Sequence, residues 1–362
     1  MKKKKLFFIV LSLVFVSLLS CKKEKKCEPS SFFSKGNGVF FINEGGFGHG
    51  NGSLSFYSYV SVKIYDDLFE DANCRPLGDT PNSMLIAGEN IYIVVNNSNK
   101  IEVVKRESLK SEVDESEYLK SIKTIEGLNA PSDIAAVSDK KAYITSMYSD
   151  SIAILDIENN IISGYINIRR SSQSIVVHNK KAYIANEFSA DWSSGKEIMV
   201  VNTETNRVID SIVVAFEPES MVIDRNNTLW VLCNGGWMRE HNAELIAINT
   251  TTNEITRRTV FPSKEASPTR LKIDGAGSTL YYLESGVRKM SITDTEIPSA
   301  TLIDGYFYNL GINPVNGDIF VTDAVDFNQR GRLMIFDNNG ALLSDMLAGI
   351  IPSRLYFNVT NP

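Results

Sequence analysis

One short pattern recurs along the chain and constrains its fold more than any other feature. It runs Pro, two polar residues and an apolar residue, followed about ten residues later by an aromatic within an apolar run. Copies open at Pro81-Asn82-Ser83-Met84, Pro131-Ser132-Asp133-Ile134, Ser172-Gln173-Ser174-Ile175, Pro218-Glu219-Ser220-Met221 and Pro268-Thr269-Arg270-Leu271. Their aromatic runs are Ile91-Tyr92-Ile93-Val94, Ala142-Tyr143-Ile144, Ala182-Tyr183-Ile184, Leu229-Trp230-Val231 and Leu280-Tyr281-Tyr282. A degenerate copy joins Tyr308-Asn309-Leu310 to Asp318-Ile319-Phe320-Val321. The step of about 40 to 50 residues is that of a four-stranded repeat unit. Strand A follows the Pro, and a polar turn leads to strand B with the aromatic. A variable loop leads to strand C ("SIAILD", "EIMVVN", "ELIAIN", "RLMIFD"), and an Asn- and Thr-rich turn leads to strand D. Asp156, Asn202, Asn249 and Asp337 close the C strands and are read as starting those turns.

The two ends complete one another. The C-terminus carries a further strand A, Pro352-Ser353-Arg354-Leu355-Tyr356-Phe357, with no strand B after it. The N-terminus carries strands B and C, "VFFINE" and "SLSFY", with no strand A before them. A ring in which the last strand completes the first unit leaves no exposed sheet edge between them. The fold class expected is all-β, a seven-bladed β-propeller over residues 36–362 closed by its C-terminal strand.

Residues 1–20 read as a lipoprotein signal peptide: "MKKKK", an apolar run, then Leu18-Leu19-Ser20-Cys21, with Cys21 as the acylated residue. Residues 21–35 read as a charged, flexible tether to the membrane. A net charge of −6 gives no electrostatic case for nucleic acid. Beyond Cys21 only Cys27, Cys74 and Cys233 remain, with no metal spacing, and Cys74 and Cys233 are expected as small buried hydrophobes.

In such a ring the B–C loops and D–A connections share one face. The B–C loops are the long ones: "NEGGFGHGNG", "SMYSD", "NEFSADWSSGK", "NGGWMREHNA" and "DAVDFNQRG". Long loops on a rigid scaffold are where binding concentrates. The ligand-binding candidates on this face are Phe47, His49, Asn51, Tyr148, Arg170, Phe188, Trp192, Trp237, Arg239, His241, Tyr306 and Phe327. Aromatics beside amides and a few charges suit a bulky, partly apolar, hydrogen-bonding ligand. The same residues have a plainer reading, in which they pack on neighbouring loops. Asn43, Asn96, Asn186 and Asn234, which close B strands, are read first as bonding their own turns and second as ligand contacts. No local hydrolase or metalloprotease signature is present, so no catalytic residue, metal site or required cofactor is expected. Glu44, Glu187, Asp191 and Glu240 on the loop face keep a metal-dependent lyase or lactonase as the enzymatic alternative.

The phrases "VNTETNRVIDSI" and "AYIANE" resemble the YncE-like propellers over residues 36–362. With the lipobox, "FFINEGGFGHGNGSLSFY", "TPNSM" and "APSDI", the chain is similar to outer-surface lipoproteins of Bacteroidota, a group that includes BtuG-type cobalamin-binding propellers. That resemblance implies a lipid-anchored outer-membrane protein that captures cobalamin or a related corrinoid and passes it to a TonB-dependent transporter. "KKEKK" after Cys21 departs from the acidic residues usual in surface-exported members. A glycan-binding or protein-docking accessory protein, with Trp192 and Trp237 as stacking platforms, is the alternative of a different class.

Overall fold

A computed structural model describes Cys27 and residues 37–106, 118–189 and 191–358. The signal peptide, Cys21, the tether apart from Cys27, and most of the polar excursion "KRESLKSEVDESEYLK" lie outside the described residues. The described chain forms seven four-stranded antiparallel sheets arranged as a ring, a seven-bladed β-propeller.

Blade 1 holds β1 (Gly38–Asn43), β2 (Ser53–Ser58) and β3 (Lys63–Tyr65). A six-residue helix, α1 (Leu68–Asn73), leads to blade 2, with β4 (Pro81–Ala87), β5 (Asn90–Val95), β6 (Lys100–Lys105) and β7 (Ser121–Ile125). Blade 3 is β8 (Pro131–Ser138), β9 (Lys141–Ser146), β10 (Ser151–Asp156) and β11 (Ile161–Asn167). Blade 4 is β12 (Ser174–His178), β13 (Lys181–Phe188), β14 (Ser194–Asn202) and β15 (Arg207–Val213). Blade 5 is β16 (Pro218–Ile223), β17 (Thr228–Cys233), β18 (Glu244–Asn249) and β19 (Ile255–Val260). Blade 6 is β20 (Thr269–Ile273), β21 (Thr279–Leu283), β22 (Gly286–Ser291) and β23 (Ile303–Asp304). Blade 7 is β24 (Asn309–Ile312), β25 (Ile319–Asp323), β26 (Arg330–Phe336) and β27 (Leu342–Ile350). The last strand, β28 (Pro352–Asn358), pairs antiparallel with β1 and supplies the strand that blade 1 lacks.

Burial explains the strand patterns. B strands such as β5, β9 and β17 are covered on both faces by neighbouring blades, so they read as continuous apolar runs. The D strands β11 and β15 lie at the rim and are largely exposed. The described residues form seven apolar clusters, each of them filling the gap between two adjacent blades.

In blades 2 to 4 the recurring aromatic of strand B is a peg between blades. Tyr92 in blade 2 donates its hydroxyl to the Ile157 carbonyl (3.0 Å) and the Asn160 side chain (2.6 Å) in the C–D turn of blade 3. Tyr143 reaches Asn206 of blade 4 in the same way (2.6 Å), and Tyr183 reaches the Thr250 carbonyl of blade 5 (3.0 Å). Asn160, Asn206 and Asn253 sit at φ of 55°, 54° and 62°, a left-handed conformation that Asn tolerates. In the same turns Asp156, Asn202 and Asn249 accept backbone N–H groups two or three residues on, as expected of them. At the ring's seam the aromatic is Phe320, packed against Tyr57 (6.0 Å), Tyr59 (6.3 Å) and Phe357 (5.3 Å) of blade 1.

The Pro of the repeat has a second recurrent role. The residue before it turns its carbonyl to the N–H that follows strand B: Asn96 to Thr80 (2.9 Å), Met147 to Ala130 (3.1 Å), Asn234 to Glu217 (3.1 Å) and Glu44 to Ile351 (3.0 Å). Four of the D–A connections are thereby tied to the end of strand B, which gives the loop face a fixed base.

The cysteines correct one expectation. Cys74, at the end of α1, is disulfide-bonded to Cys27, with Cα atoms 5.4 Å apart, rather than being a free apolar side chain. The bond ties the segment preceding the ring to the connection between blades 1 and 2. Cys233 is free and fully buried, as read from the sequence.

Replacing Phe320 with Ala should cost about 3–5 kcal/mol, because it empties a three-ring contact at the closure seam. Urea unfolding monitored by tyrosine and tryptophan fluorescence measures it. A cost under about 1 kcal/mol, within the range of surface substitutions, would show that the seam does not depend on this ring.

Candidate functional site

The first-blade loop, residues 44–52, is built by its glycines. Gly45, Gly48 and Gly50 take φ of 73°, 81° and 66°, which side chains with a Cβ rarely adopt. Gly46 donates to the Asn51 side chain (2.9 Å) and Gly48 to the Asp79 carboxylate (2.9 Å), while Gly52 bridges to the Gly78 carbonyl (2.9 Å). A Cβ on Gly52 would stand 2.2 Å from the Pro81 ring. The loop therefore lies flat against the entry to blade 2, with Asn51 closing it and Phe47 (77% exposed) and His49 left facing solvent.

Blades 3 and 4 bring a different group together. Trp192, at φ 64°, stands edge-on to Tyr148 (ring centroids 6.1 Å) and beside Phe188 (6.2 Å). Next to them opens a cavity of about 550 Å³ lined by Tyr148, Ser149, Asp150, Arg169, Arg170 and Ser189, among others. Arg170 is held by Glu197 (2.9 Å) and by the Arg169 carbonyl. The exposed Arg169 guanidinium has no partner among the described residues and is free for a ligand.

The remaining candidates are dispersed. His241 stacks on Phe216 (3.9 Å, 8° between planes), with the Lys196 ammonium 5.6 Å from the same Phe216 ring. Trp237 is 80% exposed, its backbone held by Glu217 (2.9 Å), and Arg239 pairs with Glu265. Tyr306 projects freely, and Phe327 packs edge-on against Tyr308 (5.6 Å). The strand-closing asparagines act structurally: Asn43 bonds Ser53 and Ser55, Asn96 the Pro131 carbonyl, Asn186 the Ser171 carbonyl, and Asn234 the Gly236 N–H. Asp191 and Glu240 cap N–H groups of their own loops. Arg75 forms a two-pronged pair with fully buried Glu102 (2.8 Å each) and is committed to the fold.

The sequence reading missed the central channel. Polar residues just after the repeat's Pro, which look like strand starts in isolation, converge there from different blades. Asp133, Glu219, Arg270 and Arg354 line it, with Arg270 paired to Glu219 (2.8 Å) and Arg354 to Asp133 (2.7 Å). At its mouth a cavity of about 150 Å³ is lined by Glu187, Gln173, Ser174 and Phe188 among others. No hydrogen bond reaches the Glu187 carboxyl among the described residues. Burial first, then the charges of Glu219 and Glu217, hold that carboxyl well above the usual carboxylate range. Glu44 accepts the Tyr308 hydroxyl (2.9 Å), and burial raises its pKa as well. Among the described residues no group of three or more His, Cys, Asp or Glu side chains is placed to hold a metal ion.

A carboxyl whose pKa is higher folded than unfolded penalises the fold as pH rises above its unfolded value. The penalty is absent where both states are protonated. Glu187→Gln should therefore raise the melting temperature at about pH 8 by roughly 1–3 °C and change it little at about pH 4. Scanning calorimetry at both pH values checks this, and an equal effect at both would refute the titration.

The fold has well-populated company. A quinonprotein alcohol dehydrogenase-like protein from Bacteroides thetaiotaomicron superposes with a TM-score of 0.65 at 14% identity, over 90% of this chain and 79% of that one. The periplasmic gluconolactonase of Pseudomonas aeruginosa superposes at 0.63 with 10% identity, over 88% and 99%. Virginiamycin B lyase from Staphylococcus aureus does so at 0.51 with 13% identity, over 74% and 83%. At these identities the likeness is one of fold. No curated protein sequence matches the chain. A family model described as a domain of unknown function, DUF5074, matches residues 37–348, and this seven-bladed propeller belongs to that family.

Proposed function

We propose that the protein is a ligand-capture propeller whose B–C loop face takes a corrinoid, cobalamin in the first instance. As an acylated outer-membrane protein it would pass the ligand to a TonB-dependent transporter. The observation that carries the binding reading is the open cavity of about 550 Å³ between blades 3 and 4, with unpaired Arg169 in its wall and exposed Trp192 at its side. The exposed Arg169 guanidinium, with no protein partner among the described residues, and the 62% exposed Trp192 ring are both available to a ligand. A corrinoid offers matching chemistry: an apolar rim for Trp192 and Tyr148, amide arms for Ser149 and Ser189, and a phosphodiester for Arg169. The proposal calls for binding and release, not for a bond-breaking step. The choice of corrinoid over other bulky ligands, the lipid anchor and the transporter rest on the sequence resemblance.

A second reading, glycan binding, is favoured by one separate observation. Trp237 is 80% exposed in blade 5, apart from the cavity, as a sugar-stacking platform would be.

Calorimetric titration of the purified protein with cyanocobalamin tests the first reading. One-to-one binding is expected, weakened at least about tenfold by Trp192→Ala and by Arg169→Ala. Both side chains are exposed, so neither change threatens the fold. No heat with cyanocobalamin, together with glycan binding abolished by Trp237→Ala, would replace it with the second reading.

A further inference from the structure

Below the channel mouth lies a smaller cavity, about 90 Å³, lined by strand A residues of several blades. About 10–15 Å³ of such space holds one water, so there is room for a small ion with some hydration. Its charges do not balance. Arg270 is neutralised by Glu219 and Arg354 by Asp133, which leaves Lys272 as the third cation of the lining. Glu187 and Glu44 lie outside this lining, and burial pushes both carboxyls toward the neutral form. The Lys272 ammonium makes no hydrogen bond or ion pair with any described residue, although its backbone pairs with Tyr281 in the sheet. Two further groups point to the same vacancy of partners. The Ser174 hydroxyl is buried with nothing to bond, and Asn309, 2% exposed, uses its carbonyl oxygen on the Leu310 N–H while its amide nitrogen donates to no described residue.

An ammonium, a hydroxyl and an amide NH₂ are all able to donate, and none has an acceptor among the described residues. Buried polar groups are ordinarily satisfied, so the buried Ser174 hydroxyl calls for an acceptor, and Lys272 and Asn309 line the same cavity with donors that could share it. A single negative charge is what the lining lacks. We infer that the channel waist is a binding site for a small monovalent anion, a halide or a carboxylate group, held by Lys272, Ser174 and Asn309.

A dianion would leave an excess negative charge against Glu219 and Asp133, and a neutral molecule would leave Lys272 uncompensated. Burial, then repulsion from Arg354 and Arg270, pushes the Lys272 ammonium down to about 8, against the attraction of Glu219 and Asp133. A bound anion relieves that strain, and the anion's affinity falls as pH rises past about 8 and the ammonium loses its proton. The site lies on the channel axis, apart from the loop-face cavity, and stands or falls independently of what that face captures.

Crystals of the protein soaked in sodium bromide should show an anomalous scattering peak in the waist, against the Lys272 Nζ. In solution, the melting temperature should rise with sodium bromide at low millimolar concentration, where general salt effects on burial are small. Lys272→Met should weaken that response at least about tenfold, the scale of a lost charge-assisted hydrogen bond. The variant removes a desolvated, unpaired charge and so leaves folding intact. Sodium acetate separates the two sources: a response to acetate as well as bromide assigns the seat to carboxylates, and a response to bromide alone assigns it to halides. Water alone in the waist of the soaked crystals, or an undiminished response in Lys272→Met, would overturn the site.

Discussion

The ring depends on how each blade is held to the next. A strand B aromatic leaves its own sheet and ends in the C–D turn of the following blade, where Tyr143 meets Asn206 and Tyr183 meets Thr250. The surrounding apolar contact is non-directional and would tolerate blades at several angles. The hydroxyl's bond to the next blade's C–D turn does not, because each ring is fully buried and its hydroxyl must find that turn's acceptor. Lys141 and Lys181 reinforce the same turns by donating to Asn206 and Asn253. These bonds join blades 2 to 3, 3 to 4 and 4 to 5, the other junctions are packed by apolar and aromatic side chains, and closure through β28 brings Phe320 against blade 1.

Closure has an electrostatic consequence. Seven parallel A strands surround a narrow axis, and their inward side chains lose water together. Arg270 and Arg354 remain charged there because each faces a carboxylate at hydrogen-bond distance. Glu187 and Lys272 lack such partners, and both have their pKa values pushed toward the neutral form. The channel is therefore polar, with two ion pairs and two buried titratable groups that lack such a partner.

The loop face follows a different rule. Its base is pinned by the N–H to carbonyl bonds that tie B–C loops to the residues before Pro81, Pro131, Pro218 and Pro352. Above that base, Trp192, Trp237 and Tyr306 project without partners that would bury them. A rigid base with exposed aromatics above it is an arrangement suited to recognition. The aromatics divide among blades instead of lining one bowl, with Tyr148, Phe188 and Trp192 as the only trio of loop candidates whose rings contact one another among the described residues.

Much of this was legible in the amino-acid order. The blade count, the A-to-D order and the closure by Pro352–Asn358 follow from periodicity, because each blade repeats the same local burial and the same turns. The loop-face residues were legible as a set, since strand direction alone assigns loops to a face. Their grouping was not: Tyr148 and Trp192 belong to different blades, and only the angle between blades decides whether their rings meet. The Cys27–Cys74 bond was likewise hidden, since 47 residues of separation carry no geometric signal. The channel lay furthest from reach. Ser174, Lys272 and Asn309 come from three blades and look like ordinary strand residues one at a time. Local sequence determines which way a side chain alternates, but ring closure alone decides which alternating side chains share an axis and lose their water together.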